Sequence, residues 1–176
     1  MTSVLGSIGV VTGAATQTRL VTPYQNTTPA FTAFLGSAHT SIRSMIYSAT
    51  LAVYFDTLIQ AKQHGLDVKV IFDHSQAGGH AEKADLNKLL AAGWVDGKDF
   101  VIGTSPVQHQ ICHIKATVID HRWVEDGSLN YSYSGLNEVN TVCFSDWAEW
   151  AQYFDSIFDQ LWTWILQHEP AYQITP

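Results

Sequence analysis

The chain has 176 residues, a length most simply filled by one domain with a core of its own. Hydrophobic residues make up 46%, aromatic residues 12% and charged residues 14%, which excludes a disordered or low-complexity chain. Sixteen acidic against nine basic residues give a net charge of -7, opposite to the usual balance of nucleic-acid proteins, although a local cationic cleft can still hold phosphate.

Two cysteines, Cys112 and Cys143, are too few for a disulfide scaffold or a thiolate metal framework. Each lies in an apolar stretch that suits a small buried side chain. No run of about 18 apolar residues occurs, so membrane insertion is not expected. The N-terminus, MTSVLGSIGVVTGAATQTR, has its first basic residue at Arg19 and is interrupted by Gly6, Gly9 and Gly13. A secretory signal needs a cationic start and a continuous apolar centre, so a cytoplasmic protein is expected.

In chain order, residues 29–38 read as a short helix, and 41–47 alternate in strand fashion with Ile42 and Ile46 on one parity. Residues 51–64 read as a helix stopped by Gly65, and 68–72 as a buried parallel strand closed by Asp73. A polar loop, HSQAGGH, follows, and then a helix over 81–92 stopped by Gly93. Asp73, His74 and His80 match no metal-ligand template, and Gly78-Gly79 reads as a turn. Arg43 and Arg122 read as solvated surface. This alternation of strands and helices predicts βαβ units and an α/β architecture.

After Phe100-Val101-Ile102 the pattern changes to strand-like segments at 113–120, 122–125 and 137–145, so a mixed sheet is expected. The last element is an amphipathic helix. Trp147, Trp150, Ala151, Phe154, Ile157, Phe158, Leu161, Trp162 and Ile165 fall on helical spacing, with Asp146 as N-cap, Glu149 beyond it and Pro170 as terminator. It reads as a helix packed on the sheet, with surplus aromatic residues available to a second chain.

The segment HIKATVID carries the chemistry. Strand alternation puts His113, Lys115 and Thr117 on one face and Ile114, Ala116 and Val118 on the core face. Asp120 is an odd number of residues from His113 and therefore faces away from it. After a turn near His121, a returning segment delivers Ser128 and Asn130, again two apart. Imidazole, ammonium, hydroxyl and carboxamide converging on one pocket suit a tetrahedral anion.

These residues read H-x-K-x4-D-x6-G-S-x-N over His113, Lys115, Asp120, Gly127, Ser128 and Asn130. The pattern resembles the signature of the phospholipase D superfamily. SIRSMIYSAT, AKQHGLDVKVIFD and the final aromatic helix are similar, in the same order, to its small bacterial Nuc-type endonucleases. The resemblance spans about residues 20–168. It implies a mixed sheet flanked by helices on both faces, an α/β/α sandwich, as a single domain over 20–176 after an N-terminal extension of unknown role over 1–19.

The resemblance also implies roles. His113 would be the nucleophile that forms a phosphohistidine, or the acid. Lys115 and Asn130 would bind phosphate, with Ser128 as a hydrogen-bonding partner. Glu138, in Glu138-Val139-Asn140, would orient the histidine, and Asp120 and Gly127 would be structural. No metal or other cofactor is expected.

Relatives with two motif copies build the site between them. Among the other histidines (His39, His64, His74, His80, His109, His121 and His168) none begins a second copy. Two chains would then be needed, with His113 of each meeting across a two-fold axis. The expected activity is a metal-independent nuclease on DNA or RNA. A phospholipid hydrolase or transferase and a non-catalytic nucleic-acid-binding module are the alternatives.

Overall fold

The computed structural model describes residues 16–169, apart from the side chains at positions 80 and 81. Residues 1–15, most of the expected N-terminal extension, and Pro170, the expected helix terminator, lie outside them.

Seven strands form one sheet: β1 (Thr16–Thr22), β2 (Ser41–Ile46), β3 (Asp67–Asp73), β4 (Phe100–Gly103), β5 (Lys115–Ile119), β6 (Trp123–Gly127) and β7 (Asn140–Asp146). Their spatial order is β1-β7-β6-β5-β2-β3-β4. The neighbours β2, β3 and β4 are parallel, and every other pairing is antiparallel. The parallel half is the part whose connections carry helices, because parallel neighbours need a crossover long enough to return the chain. The expected mixed sheet is therefore present.

Helices α1 (Thr28–Gly36), α2 (Ala52–Gln63) and α4 (His80–Ala91) cover one face. Helix α6 (Ala148–His168) covers the other. Alternation along the strands feeds both layers. Ile42, Ile46, Val70 and Phe72 belong to the α1/α2 core, while Met45 and Ile71 pack with Phe158, Leu161 and Ile165 of α6. Gly103 lets α6 approach β4, since a Cβ there would lie 2.4 Å from Ile165 Cγ1. Helices on both faces of a mixed sheet make the expected α/β/α sandwich.

Several local expectations are corrected. The boundary between residues 19 and 20 falls inside β1, which pairs along its length with β7. The HSQAGGH loop contains a short helix, α3 (His74–Ala77), because the Asp73 carboxylate caps it by accepting from Ser75 N at 2.9 Å. A further short helix, α5 (Tyr133–Asn137), precedes β7 and is capped by Ser132. Asp146 does not cap α6. It ends β7, and its carboxylate accepts from Arg122 Nε at 2.7 Å and Nη2 at 2.8 Å. The turn near His121 is the β5–β6 hairpin, with Asp120 and His121 both at positive φ and Arg122 N donating to Ile119 O.

Candidate functional site

The motif lies at the sheet end where β2, β3 and β4 finish and the antiparallel β5 begins. Such a crevice outside the carboxyl ends of parallel strands is where α/β sheets bind ligands. β5 is regular from Lys115, so His113 stands just before it. Asp73, fully buried at the end of β3, accepts the Cys112 N–H at 2.7 Å. That bond fixes the approach to β5 from the neighbouring parallel strand. The His113 side chain is exposed.

Lys115 differs in being 5% exposed. Its Nζ donates to the His113 carbonyl oxygen at 2.9 Å and stands 4.7 Å from the Tyr47 ring centroid. Burial lowers its pKa, opposed by the Cys112 and Asp73 groups. No ion pair joins it to a carboxylate among the described residues.

The other half of the motif reaches the same sheet end by a loop. Tyr47 N donates to Ile114 O at 2.9 Å, while Thr50 N and Leu51 N both donate to Tyr131 O, at 2.8 and 2.9 Å. The 47–51 segment therefore ties the histidine strand to the Asn130-Tyr131 turn. The Asn130 amide oxygen is buried without a hydrogen-bond partner. Gly135 permits this turn, since a Cβ there would lie 2.4 Å from Asn130 O.

Ser128 is placed differently. Its hydroxyl donates to Asn140 Oδ1 at 3.1 Å and accepts from Thr141 N at 3.0 Å, which fastens the motif to β7. Gly127 allows that contact, because a Cβ there would lie 2.1 Å from the Thr141 carbonyl oxygen. Glu138 follows α5 with an exposed side chain, and no hydrogen bond links it to the His113 ring.

Asp120 lies at the far end of β5, roughly 20 Å along the chain from His113. Its carboxylate accepts from the backbone N–H groups of His39, Thr40 and Ser41 and from the Thr40 hydroxyl, at 2.7 to 3.1 Å. Burial raises its pKa, but these bonds from Thr40, Ser41 and His39 outweigh it and leave the carboxyl below its ordinary value.

Two buried carboxyls near the site escaped the sequence reading. Glu82 is 2% exposed, and burial pushes its pKa up to about 8. One oxygen accepts from Ala49 N at 3.3 Å, and the other has no partner. Glu125, on β6, is fully buried, and burial drives its carboxyl well above the ordinary range. It accepts from the Tyr131 hydroxyl, which bonds Thr117, which bonds Ser44, a polar line beneath the motif. Nothing marks Glu82 in sequence, because only the packing of α4 makes it buried.

A cleft of about 500 Å³ beside the motif is lined by His113, Ile114, Lys115, Ala116, Asp126, Gly127 and, from α6, Tyr153, Phe154 and Ile157; alternation turns Ile114 and Ala116 toward α6 and the Lys115 side chain toward the other face. Ser128, Asn130 and Glu138 do not line it. Cys112 and Cys143 are both free thiols. Arg43 and Arg122 are paired with Asp67 and Asp146. Among the described residues no three His, Cys, Asp or Glu side chains gather as a metal site, and no helix is long and apolar enough to cross a membrane.

Residues 31–162 match the family described as cardiolipin synthase, PLD-like domain. The mitochondrial cardiolipin hydrolase of Chlamydomonas reinhardtii is 28% identical over 134 residues, which cover 75% of this chain. The chain spans 56% of that relative's length. The phospholipase D family member Nuc from Salmonella typhimurium has a TM-score of 0.74 at 23% identity, over 91% of this chain and 99% of Nuc. NucT from Helicobacter pylori has a TM-score of 0.71 at 17% identity, over 90% of this chain and 100% of NucT. Family match, shared fold and intact motif agree: the chain belongs to the phospholipase D-like family, with the fold of its Nuc-type members.

Proposed function

We propose that the protein is a metal-independent phosphodiesterase, an endonuclease on DNA or RNA, that works through a phosphohistidine at a site shared by two chains. The observation that carries it is the exposed imidazole of His113 beside the buried, unpaired ammonium of Lys115. Burying a cation without a counter-ion is costly unless an anion completes the site, and a phosphodiester is that anion.

In the first step an imidazole nitrogen of His113 attacks phosphorus, and the bond from phosphorus to the leaving oxygen breaks. The protonated His113 of a second copy gives its proton to that oxygen. Water then loses a proton to the same second histidine and attacks phosphorus, and the phosphorus–nitrogen bond breaks. Both histidines return to their starting states. Lys115 balances charge on the non-bridging oxygens throughout, a transition-state role suited to its dry position. Asn130 has a buried amide end without a protein partner, and turning that amide presents its NH2 to a phosphate oxygen. Ser128 supports the pair by holding their segment to β7, and Glu138 orients His113 once the second chain completes the site.

A lipid phosphodiester is the second reading. It is favoured by the cardiolipin hydrolase relative and by the apolar wall of Tyr153, Phe154 and Ile157 beside His113. Purified protein is incubated with plasmid DNA, RNA and cardiolipin vesicles in excess EDTA, beside His113→Ala. Nucleic-acid cleavage that persists in EDTA and is lost in the variant is expected. Cleavage abolished by EDTA overturns the metal-independent mechanism. Turnover of lipid alone moves the second reading ahead, and no turnover of any substrate leaves a binding module.

A further inference from the structure

Tyr47 has no place in the motif, yet it touches both of the motif's reactive side chains. Its backbone N–H donates to the carbonyl of Ile114, the residue between them, at 2.9 Å. Its ring centroid lies 4.4 Å from that of His113, with the planes tilted by 55°. The same ring lies 4.7 Å from Lys115 Nζ, within cation–π range. Gln76 Nε2, on α3, donates to the Tyr47 hydroxyl at 2.9 Å and holds the ring from behind.

The choice of partner for a buried ammonium decides what the site can hold. A carboxylate in contact with Lys115 would stabilise it but cancel its field and repel a phosphate. An aromatic face stabilises the cation through its quadrupole and carries no net charge. Asp73 from β3 and Cys112 on the approach to β5 are the titratable groups that act on the ammonium. Asp73 directs its oxygens to Ser75 and to the Cys112 N–H, which leaves the Tyr47 ring and the His113 carbonyl as the contacts of Nζ.

We propose that Tyr47 is a positioning residue: its ring holds the Lys115 ammonium and the His113 imidazole in one arrangement without cancelling the charge offered to a phosphodiester. The substrate rests on the phosphodiesterase reading, whereas the contacts do not. Tyr47 is half-buried, and neither of its contacts requires the hydroxyl. Phenylalanine therefore keeps the ring and loses only the Gln76 bond, while leucine loses the ring.

Tyr47→Leu and Tyr47→Phe are compared with wild type by thermal melting, by turnover of bis(p-nitrophenyl) phosphate over pH, and by NMR titration of the Lys115 13Cε resonance. Leucine is expected to lower kcat by roughly tenfold, the size of a cation–π contact in a desolvated site. It is also expected to move the Lys115 titration, and the alkaline limb of the rate profile, to lower pH. Phenylalanine is expected to restore all three. An unmoved Lys115 titration in Tyr47→Leu overturns the proposal, as does a phenylalanine variant as impaired as leucine. Should wild type turn over no phosphodiester, the phosphodiesterase reading fails while the Lys115 titration still decides the role of Tyr47.

Discussion

An imidazole before β5 and an ammonium inside it have opposite environments. His113 is exposed, whereas Lys115 is buried against a ring and a carbonyl. An apolar side chain should therefore suit position 115 better than lysine as far as folding is concerned. Lys115→Met is expected to raise the melting temperature or leave it unchanged, while kcat/KM falls by roughly 100-fold or more. A variant both less stable and fully active would contradict the phosphate-binding role. Glu82 gives a pH signature. Its folded-state pKa of about 8 lies above the ordinary 4.5, so the folded chain holds a proton that the unfolded chain releases. Stability from this group is full below pH 4.5 and is lost as pH rises to about 8, by about 1.4 kcal/mol per unit at most. Glu82→Gln, which stays neutral, should flatten that decline in melts at pH 5 and pH 8. The same slope in wild type and variant would assign it to another group. The motif that holds His113 and Lys115 is local and can be read from the sequence. The burial of Glu82 cannot, since a carboxylate's burial depends on residues far away in sequence.

At the scale of elements, β5 is anchored at both ends by carboxylates with no catalytic contact. Asp73 holds the approach to it, and Asp120 gathers the backbone amides that open β2. Asp120→Ala should cost about 2–4 kcal/mol, because several N–H groups lose their acceptor together. Its folded fraction should keep wild-type kcat, since the carboxylate lies at the wrong end of the strand. Denaturant melts with parallel rate measurements check this, and a large loss of kcat at full folding would place Asp120 in the chemistry. The length of β5 implies this division, because its five residues separate the two ends by more than a side chain can reach. Short or exposed elements were less legible. β1, TQTRLVT, is mostly exposed and lacks an apolar stripe, so its strand character comes from pairing with β7. α5 spans five residues and is set by the Ser132 cap and the Gly135 approach rather than by periodicity. Asp146 resembled a cap by position, but the return of β6 beside β7 gives it Arg122 instead.

For the whole molecule, one motif copy per chain makes quaternary structure the test of mechanism. The proposed site with two copies of His113 predicts activity that follows a dimer. Specific activity should fall on dilution as the dimer dissociates, and sedimentation should show the active species at twice the chain mass. Full activity in a monomer would refute the shared site. By itself, the sequence determined the α/β class, the final helix and the motif, because periodicity and a motif within 18 residues are local properties. The tertiary structure alone decided which groups surround the ammonium. Tyr47 reaches Lys115 because β2 pairs with β5, and Asp73 reaches Cys112 because β3 ends beside that pair. It also turned Ser128 toward β7 and buried Glu82 beneath the 47–51 loop. All but the Ser128 contact join residues more than thirty positions apart, and strand order rather than spacing brings them together.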